Sequence, residues 1–222
     1  MKVTLITHTP EPEKVIASAA KLCYSSSDIE TLMDGLTSEK IETFIKKLTD
    51  LGHQSPLEHC TFTFGIEGVS RALLAQLTRH RIASYSVKSQ RYVKEGQFEY
   101  ITPKAIEEDD ILFWEYIKLM KDVQMFYNSA IKRGIKPEDA RYALPNACAT
   151  QFIMTFNIRS LLNFFELRCC NRAQAEIRQM ADIMLDICKE IAPNIFAKAG
   201  ASCVRGKCKE GKMCCGNPKG GR

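Results

Sequence analysis

The stretch Thr61-Phe62-Thr63-Phe64-Gly65-Ile66-Glu67-Gly68-Val69-Ser70-Arg71-Ala72-Leu73-Leu74-Ala75-Gln76-Leu77-Thr78 sets a strand directly before a helix. Its first six residues alternate polar and apolar, the period of a half-buried strand. Ser70 then offers a side-chain oxygen to the open N–H groups of a helix expected to run to about Thr78. The same pairing recurs later. Gln151 to Phe156 reads as a strand, and Asn157 can cap a helix to about Cys169. Residues 2–7 and Phe98–Ile101 are further expected strands, the latter ended by Pro103. Further helices are expected over Glu11–Leu22, with Pro12 in the first turn, and Ser38–Leu51, stopped by Gly52. Another pair is expected over Glu107–Arg133 and Arg172–Ile191, with Pro137 opening a short turn between them. In the longest of these, Leu112, Tyr116, Leu119, Val123, Phe126 and Ala130 form one apolar stripe, and four acids, Glu107 to Asp110, crowd the start. Helices dominate and the strands lack a βαβ rhythm, so the fold class is α+β in one domain.

Composition agrees with a globular protein: of 222 residues, 45% are hydrophobic and 26% charged. No apolar run approaches the ~18–20 residues of a membrane span. The opening Met1–Pro10 lacks the apolar region and cleavage site of a signal peptide, so a chain without a leader is expected. Ten cysteines are also the mark of a secreted disulfide scaffold, but six are spread through the body (Cys23, Cys60, Cys148, Cys169, Cys170, Cys188), most of them in apolar segments, where a thiol behaves as a small buried hydrophobe. A reducing, cytoplasmic location is expected.

Residues 1–200 are expected to form the catalytic domain and 201–222 a basic Cys/Gly-rich tail. The tail holds Arg205, Lys207, Lys209, Lys212, Lys219 and Arg222 against Glu210 alone, which accounts for the whole net charge of +5. The basic balance is thus a property of the tail and gives the body no reason to bind nucleic acid. Cys203, Cys208, Cys214 and Cys215 lack the paired spacing of a zinc site, so no metal is expected.

The body's arginines are concentrated. Gly68 to Lys94 contains no acid but holds Arg71, Arg79, Arg81, Lys88, Arg91 and Lys94. Ala140 to Ala175 contains Glu166 alone against Arg141, Arg159, Arg168 and Arg172. A guanidinium is a planar fork of donors suited to phosphate or to a heterocycle edge, so these windows suggest a phosphorylated, nucleotide-like ligand. The plainer alternatives are a helix C-terminus complemented by Arg79, His80 and Arg81, a solvated basic loop over Ser84–Tyr92, and an amphipathic helix bordered by Arg159 and Arg168. Arg159 and Asn163 share a helix face, whereas Arg168 lies half a turn away in phase and should address a different object.

The same windows carry a resemblance. Arg79-His80-Arg81 followed by Ser84, Ser89, Arg91 and Tyr92 resembles the RHRxxSxxxxSxRY signature of the flavin-dependent thymidylate synthases. Gly52-His53-Gln54-Ser55-Pro56-Leu57-Glu58-His59 is similar to that family's GHxSPxEH segment, and Ala140-Arg141-Tyr142-Ala143-Leu144-Pro145 to its ARxxLP turn. Asn157-Ile158-Arg159-Ser160-Leu161 with Asn163-Phe164-Phe165-Glu166-Leu167-Arg168 resembles NxRSLxNFxxLR, and Ala173-Gln174-Ala175-Glu176-Ile177-Arg178 resembles AQxEIR. These ordered blocks cover about residues 50–180.

The resemblance implies a small, mostly antiparallel sheet packed among helices. It implies reductive methylation of dUMP to dTMP, with methylenetetrahydrofolate as one-carbon donor and NADPH-reduced FAD as hydride source. It assigns dUMP to Gln76, Arg79, Ser89, Gln90, Arg91, Arg141 and Arg168, and FAD to His53, Ser55, Arg79, His80, Arg81, Asn157, Arg159 and Asn163. Arg168 would be the catalytic cation at the N3/O4 edge of uracil. A homotetramer sharing sites between subunits is also implied. The family works without a cysteine nucleophile, so Cys148, Cys169 and Cys170 are expected to pack beside the site, and Ser89 to hydrogen-bond. The chain departs from many members at Ser86 and Val87, where Asn and Glu are common, which puts side-chain contacts there in doubt. Two other readings stay open: a flavin- or nucleotide-binding homologue without turnover, and a basic nucleic-acid-binding protein.

Overall fold

Four segments supply the sheet: β1 (Lys2–His8), β2 (Thr61–Ser70), β3 (Ser84–Val87) and β4 (Ala149–Asn157), in the spatial order β1-β2-β4-β3, antiparallel. The chain is described by a computed structural model covering residues 1–92 and 96–219; Lys94 and Arg222, counted above among the charges, lie outside the described residues. Phe62, Phe64 and Ile66 alternate inward on β2 as their spacing requires, and Thr150, Phe152, Met154 and Phe156 do so on β4. Gly68 breaks the rhythm. Its φ of 65° lies in the left-handed region, and the next two residues, Val69 and Ser70, are both buried.

The helices are α1 (Pro12–Leu22), α2 (Ile29–Asp34), α3 (Ser38–Asp50), α4 (Arg71–Leu77) and α5 (Lys104–Glu107). They continue with α6 (Asp110–Lys132), α7 (Pro137–Ala140), α8 (Ile158–Arg168), α9 (Ala175–Ile191) and α10 (Pro193–Phe196). Together with the sheet they make one α+β domain. Within it the residues group into two compact units. One comprises Met1–Lys2, Ile66–Arg79 and Ser86–Ile153; the other comprises Val3–Gly65, His80–Tyr85 and Met154–Arg222.

In the first unit, Ser70 Oγ accepts the Leu73 N–H at 3.0 Å, the cap that the sequence called for. Arg71 and Ala72 donate their N–H groups to the carbonyls of Cys148 and Asn146, fixing the first turn of α4. Two expectations need correction here. Phe98–Ile101 is not a strand: Tyr100 makes a single bridge to Cys148, because the segment turns away at Pro103 after one pairing. The long helix begins later than Glu107. The acid run splits it, since Asp109 accepts from the N–H groups of Ile111 and Leu112 and starts α6 afresh. The apolar stripe is also turned. Met120 and Tyr127 are the buried residues of α6, whereas Leu112, Leu119 and Phe126 face outward with Ile111, Trp114 and Met125. Tyr116 and Val123 of the stripe do pack against Phe98, Met120 and Cys148, so spacing found part of the inward face and mixed it with an outward one.

The second unit is built on aromatic packing. Phe62 and Phe165 each set an edge against Phe196, and Phe156 packs on Phe164, with ring centroids 5.6–6.0 Å apart. Each such fully buried ring contributes roughly 1.5–3 kcal/mol. Glu13 ties α1 to α10, accepting from the backbone and side-chain nitrogens of Asn194 at 2.7 and 2.8 Å. Cys60, Cys169 and Cys188 are buried, as expected of structural thiols; desolvation pushes the Cys60 thiol up to about 11 and raises the other two further. The last helix starts at Ala175 instead of Arg172, with Gln174 as its cap, and Pro193 opens α10. Residues 202–219 include two 3₁₀ turns, Ser202–Arg205 and Gly211–Met213, tied to α8, α9 and the loop between them by ion pairs of Glu166 with Arg205 and Lys209, Asp182 with Lys219, and Arg172 with Glu210.

Candidate functional site

α8 follows β4 without a loop, so the end of the strand aims the helix. Asn157 makes the junction: its Oδ1 accepts the Ser160 N–H at 2.8 Å, while the Ile158 N–H goes to Cys60 O at 2.9 Å. Within the first turn, Arg159 donates from Nε to Gln54 Oε1 at 3.2 Å and from Nη1 to Glu58 Oε1. Two of the sequence blocks, Gly52–His59 and Asn157–Arg168, are thereby joined by side chains. Gly52 (φ 70°) ends the α3 region, and the His53 N–H caps it on Leu48 O. His53, Ser55 and Asn163 are exposed with Arg159.

At the other end of α8, Arg168 Nε donates to His80 Nε2 at 3.0 Å. An accepting Nε2 means the imidazole is neutral there, with its proton on Nδ1. The His80 ring stands edge-on to Phe164 at 5.0 Å, and Tyr85 Oη donates to His80 O at 2.8 Å. Burial pushes the Tyr85 phenol up to about 12. One edge of the Arg168 guanidinium is therefore fixed by His80 of a second sequence block, and the C-terminal end of α8 favours its charge. The opposed phases expected for Arg159 and Arg168 are observed as separate partners. Arg81 is exposed.

In the first unit the arginines of the two windows meet on a residue that the sequence reading missed. Arg91 donates from Nε and Nη2 to Glu138 Oε2 at 3.3 and 3.0 Å, and Arg141 Nε donates to Glu138 O at 3.1 Å. Hydrogen bonding to Glu138 is the main reason the Arg91 guanidinium is held above its ordinary range. Glu138 stands three residues before Arg141, in the turn opened by Pro137, and that proximity was the available signal. Ser89 Oγ accepts the Arg91 N–H at 3.2 Å, and the Arg91 guanidinium lies 5.5 Å from the Tyr92 ring centre. Gln90 is buried and donates to Cys148 Sγ at 3.3 Å; Gln76 Nε2 donates to Ala72 O, and Arg79 is exposed. Ser86 and Val87, the departing positions, lie on β3, where neither is buried.

Each unit thus brings together its own part of the expected set: Arg91, Ser89 and Arg141 in one, His80 with Arg168 and the His53–Ser55 block with Arg159 in the other. A guanidinium held in place on an exposed polar face is suited to an anionic group such as a phosphate. Among the described residues no group of three or more His, Cys, Asp or Glu is arranged to hold a metal ion.

Residues 4–194 match the family described as Thymidylate synthase complementing protein. A Flavin-dependent thymidylate synthase of Clostridium tetani is 50% identical over 232 residues, covering 97% of this chain and 93% of its own. One from Geobacter sulfurreducens is 47% identical over 218 residues, covering 97% and 94%. One from Pyrococcus furiosus is 39% identical over 219 residues, covering 95% and 90%.

Proposed function

The chain belongs to the Thymidylate synthase complementing protein family, and from that premise we propose that it is an enzyme that converts dUMP to dTMP. The one-carbon donor is methylenetetrahydrofolate and the reductant is NADPH acting through FAD. The Arg168–His80 bond carries this reading best, because it fixes a guanidinium edge between the two most distinctive sequence blocks.

Uracil C5 is a weak nucleophile until negative charge develops on the N3/O4 side of the ring. Arg168 is assigned to that edge, where a pre-oriented cation stabilises developing charge as an oxyanion donor does. Arg91 and Arg141 are assigned to the phosphate; Gln76, Arg79, Ser89 and Gln90 complete the nucleotide set. Their contribution is orientation. His53, Ser55, Arg79, His80, Arg81, Asn157, Arg159 and Asn163 are assigned to FAD, with Arg159 held ready by Gln54 and Glu58. When bound and reduced, the flavin supplies the hydride that completes the methyl group. The raised thiols of Cys60, Cys169 and Cys188 are poor nucleophiles at neutral pH, which agrees with a reaction that uses no cysteine.

A homotetramer with shared sites is part of the proposal. Its support is the outward face of α6, where Ile111, Leu112, Trp114, Leu119, Met125 and Phe126 are exposed on one chain. A cytoplasmic location is proposed with it, supported by ten free cysteines. The nucleic-acid alternative is weakened by the tail, whose Arg205, Lys209 and Lys219 are already paired with acids of α8 and α9. Purified protein is expected to be yellow, or to take up added FAD, and to lose its visible flavin absorbance on anaerobic addition of NADPH. A colourless preparation that takes up no FAD contradicts the proposal.

A further inference from the structure

Glu166 is the lone acid of the second arginine window, and it sits on the same face of α8 as Arg159 and Asn163. It lies seven residues from Arg159 and three from Asn163, which is close to whole turns of helix. The positive charge of Arg159 is already matched by Glu58. Taken alone, this face therefore carries one unmatched negative charge, which opposes the binding of a pyrophosphate.

The C-terminal segment changes the sign. Arg205 Nη2 donates to Glu166 Oε2, and Lys209 Nζ donates to Glu166 Oε1 at 2.7 Å, so each carboxylate oxygen has its own cation. Two cations on one acid turn the excess into one positive charge. Both donors are held in place. Arg205 Nη1 also donates to Lys198 O at 3.2 Å, and the Lys209 N–H donates to Ser202 Oγ at 3.4 Å. The Arg172–Glu210 pair at 2.9 Å and the bond from Asn171 Nδ2 to Asn217 O at 2.7 Å anchor the rest of the segment beside the end of α8. The Glu166 and Arg205 side chains are 26% and 32% exposed, so that pair is screened less than an ordinary surface pair, whereas Lys209 reaches the acid from a side chain 68% exposed.

We infer that Arg205 and Lys209 are positioning residues for the flavin: by neutralising Glu166 they make the exposed face of α8 cationic, so that an anionic dinucleotide is accepted there. This rests on the assignment of FAD to that face. Lys207 and Lys212, which make no ion pair among the described residues, serve as the internal control.

The test is FAD titration of the purified full-length protein, followed by quenching of flavin fluorescence and independent of turnover. Arg205→Gln with Lys209→Gln is expected to raise the FAD dissociation constant roughly tenfold, a cost of about 1.4 kcal/mol. Lys207→Gln with Lys212→Gln removes the same charge and is expected to leave it within about twofold. Adding Glu166→Gln to the first pair is expected to restore binding to within about threefold of the parent, because the acid to be neutralised is gone. The inference is overturned if the first pair binds FAD as the parent does, if the control pair weakens binding equally, or if Glu166→Gln fails to rescue. Should the first pair fail to fold by circular dichroism, Glu166→Gln alone decides: equal or tighter binding supports the inference, and weaker binding overturns it. A parent that binds no FAD refutes the flavin assignment itself, whereas a parent that binds FAD beside an unaffected double variant refutes only the role of the tail.

Discussion

Replacing Asn157 by Ala removes the side-chain acceptor at the start of α8, the Oδ1 that takes the Ser160 N–H at 2.8 Å. Asn157 is partly buried, so water replaces the lost acceptor incompletely. Losing an N-cap of this kind costs about 1 kcal/mol, within a range of roughly 0.5–2. For a chain of this size that lowers the melting temperature by about 2–4 °C. The local consequence is larger than the global one, because Arg159 sits in the first turn that frays, and its grip on Gln54 and Glu58 depends on that turn. Asn157→Ala should therefore also lose FAD on gel filtration. Asn157→Ser is the informative partner. Serine caps about as well as asparagine, so it should restore the melting temperature to within about 1 °C of the parent. If it restores stability but not flavin retention, the asparagine amide contacts the cofactor directly. Circular dichroism melts with flavin absorbance measured on the same samples decide the matter. The reasoning fails if Asn157→Ala melts with the parent, or if Asn157→Ser melts as low as Asn157→Ala.

Three further outcomes are expected. Glu138→Gln releases the Arg91 fork without disturbing the backbone carbonyl that holds Arg141, so dUMP binding by calorimetry should tighten by about two- to fivefold; weaker binding would mean that Glu138 orients Arg91 for the ligand. Between pH 10 and about 12 the unfolded chain loses the Tyr85 proton while the folded chain keeps it, so stability falls as pH rises through that window. Tyr85→Phe should flatten this fall in denaturant melts, and an unchanged slope would remove Tyr85 as its cause. Arg168→Ala should keep its flavin colour but lose most turnover, and unimpaired turnover would take the catalytic role from Arg168.

Local signals carried the elements whose partners are near in sequence. The alternation of Phe62, Phe64 and Ile66, the Ser70 cap and the Asn157 cap each depend on a few adjacent residues, and each is present in the fold. β3 was hidden because its polar–apolar alternation, Ser84-Tyr85-Ser86-Val87, lasts only four residues inside a basic loop; it pairs with β4, which offers an edge. α6 misled for the opposite reason. Leu112, Leu119 and Phe126 repeat as regularly as a core stripe, but the inward positions are set by Phe98, Cys148 and Tyr100, which no periodicity within the helix reveals. Among site residues, the blocks around Arg79, Arg159 and Arg168 were legible as arginine segments with no acid in the first window and Glu166 alone in the second. Glu138 was not, since it falls just outside the window it serves. The tail read only as a basic Cys/Gly-rich run because its partners, Glu166 and Asp182, lie 37–43 residues away in sequence.

Catalysis of thymidylate formation is tested most directly by the fate of the hydrogen on uracil C5. With dUMP tritiated at that position, purified protein should release tritium to water at a rate that requires both methylenetetrahydrofolate and NADPH, with dTMP accumulating in step. Flavin-loaded protein that binds dUMP but releases no tritium, with every cosubstrate present, would contradict the account.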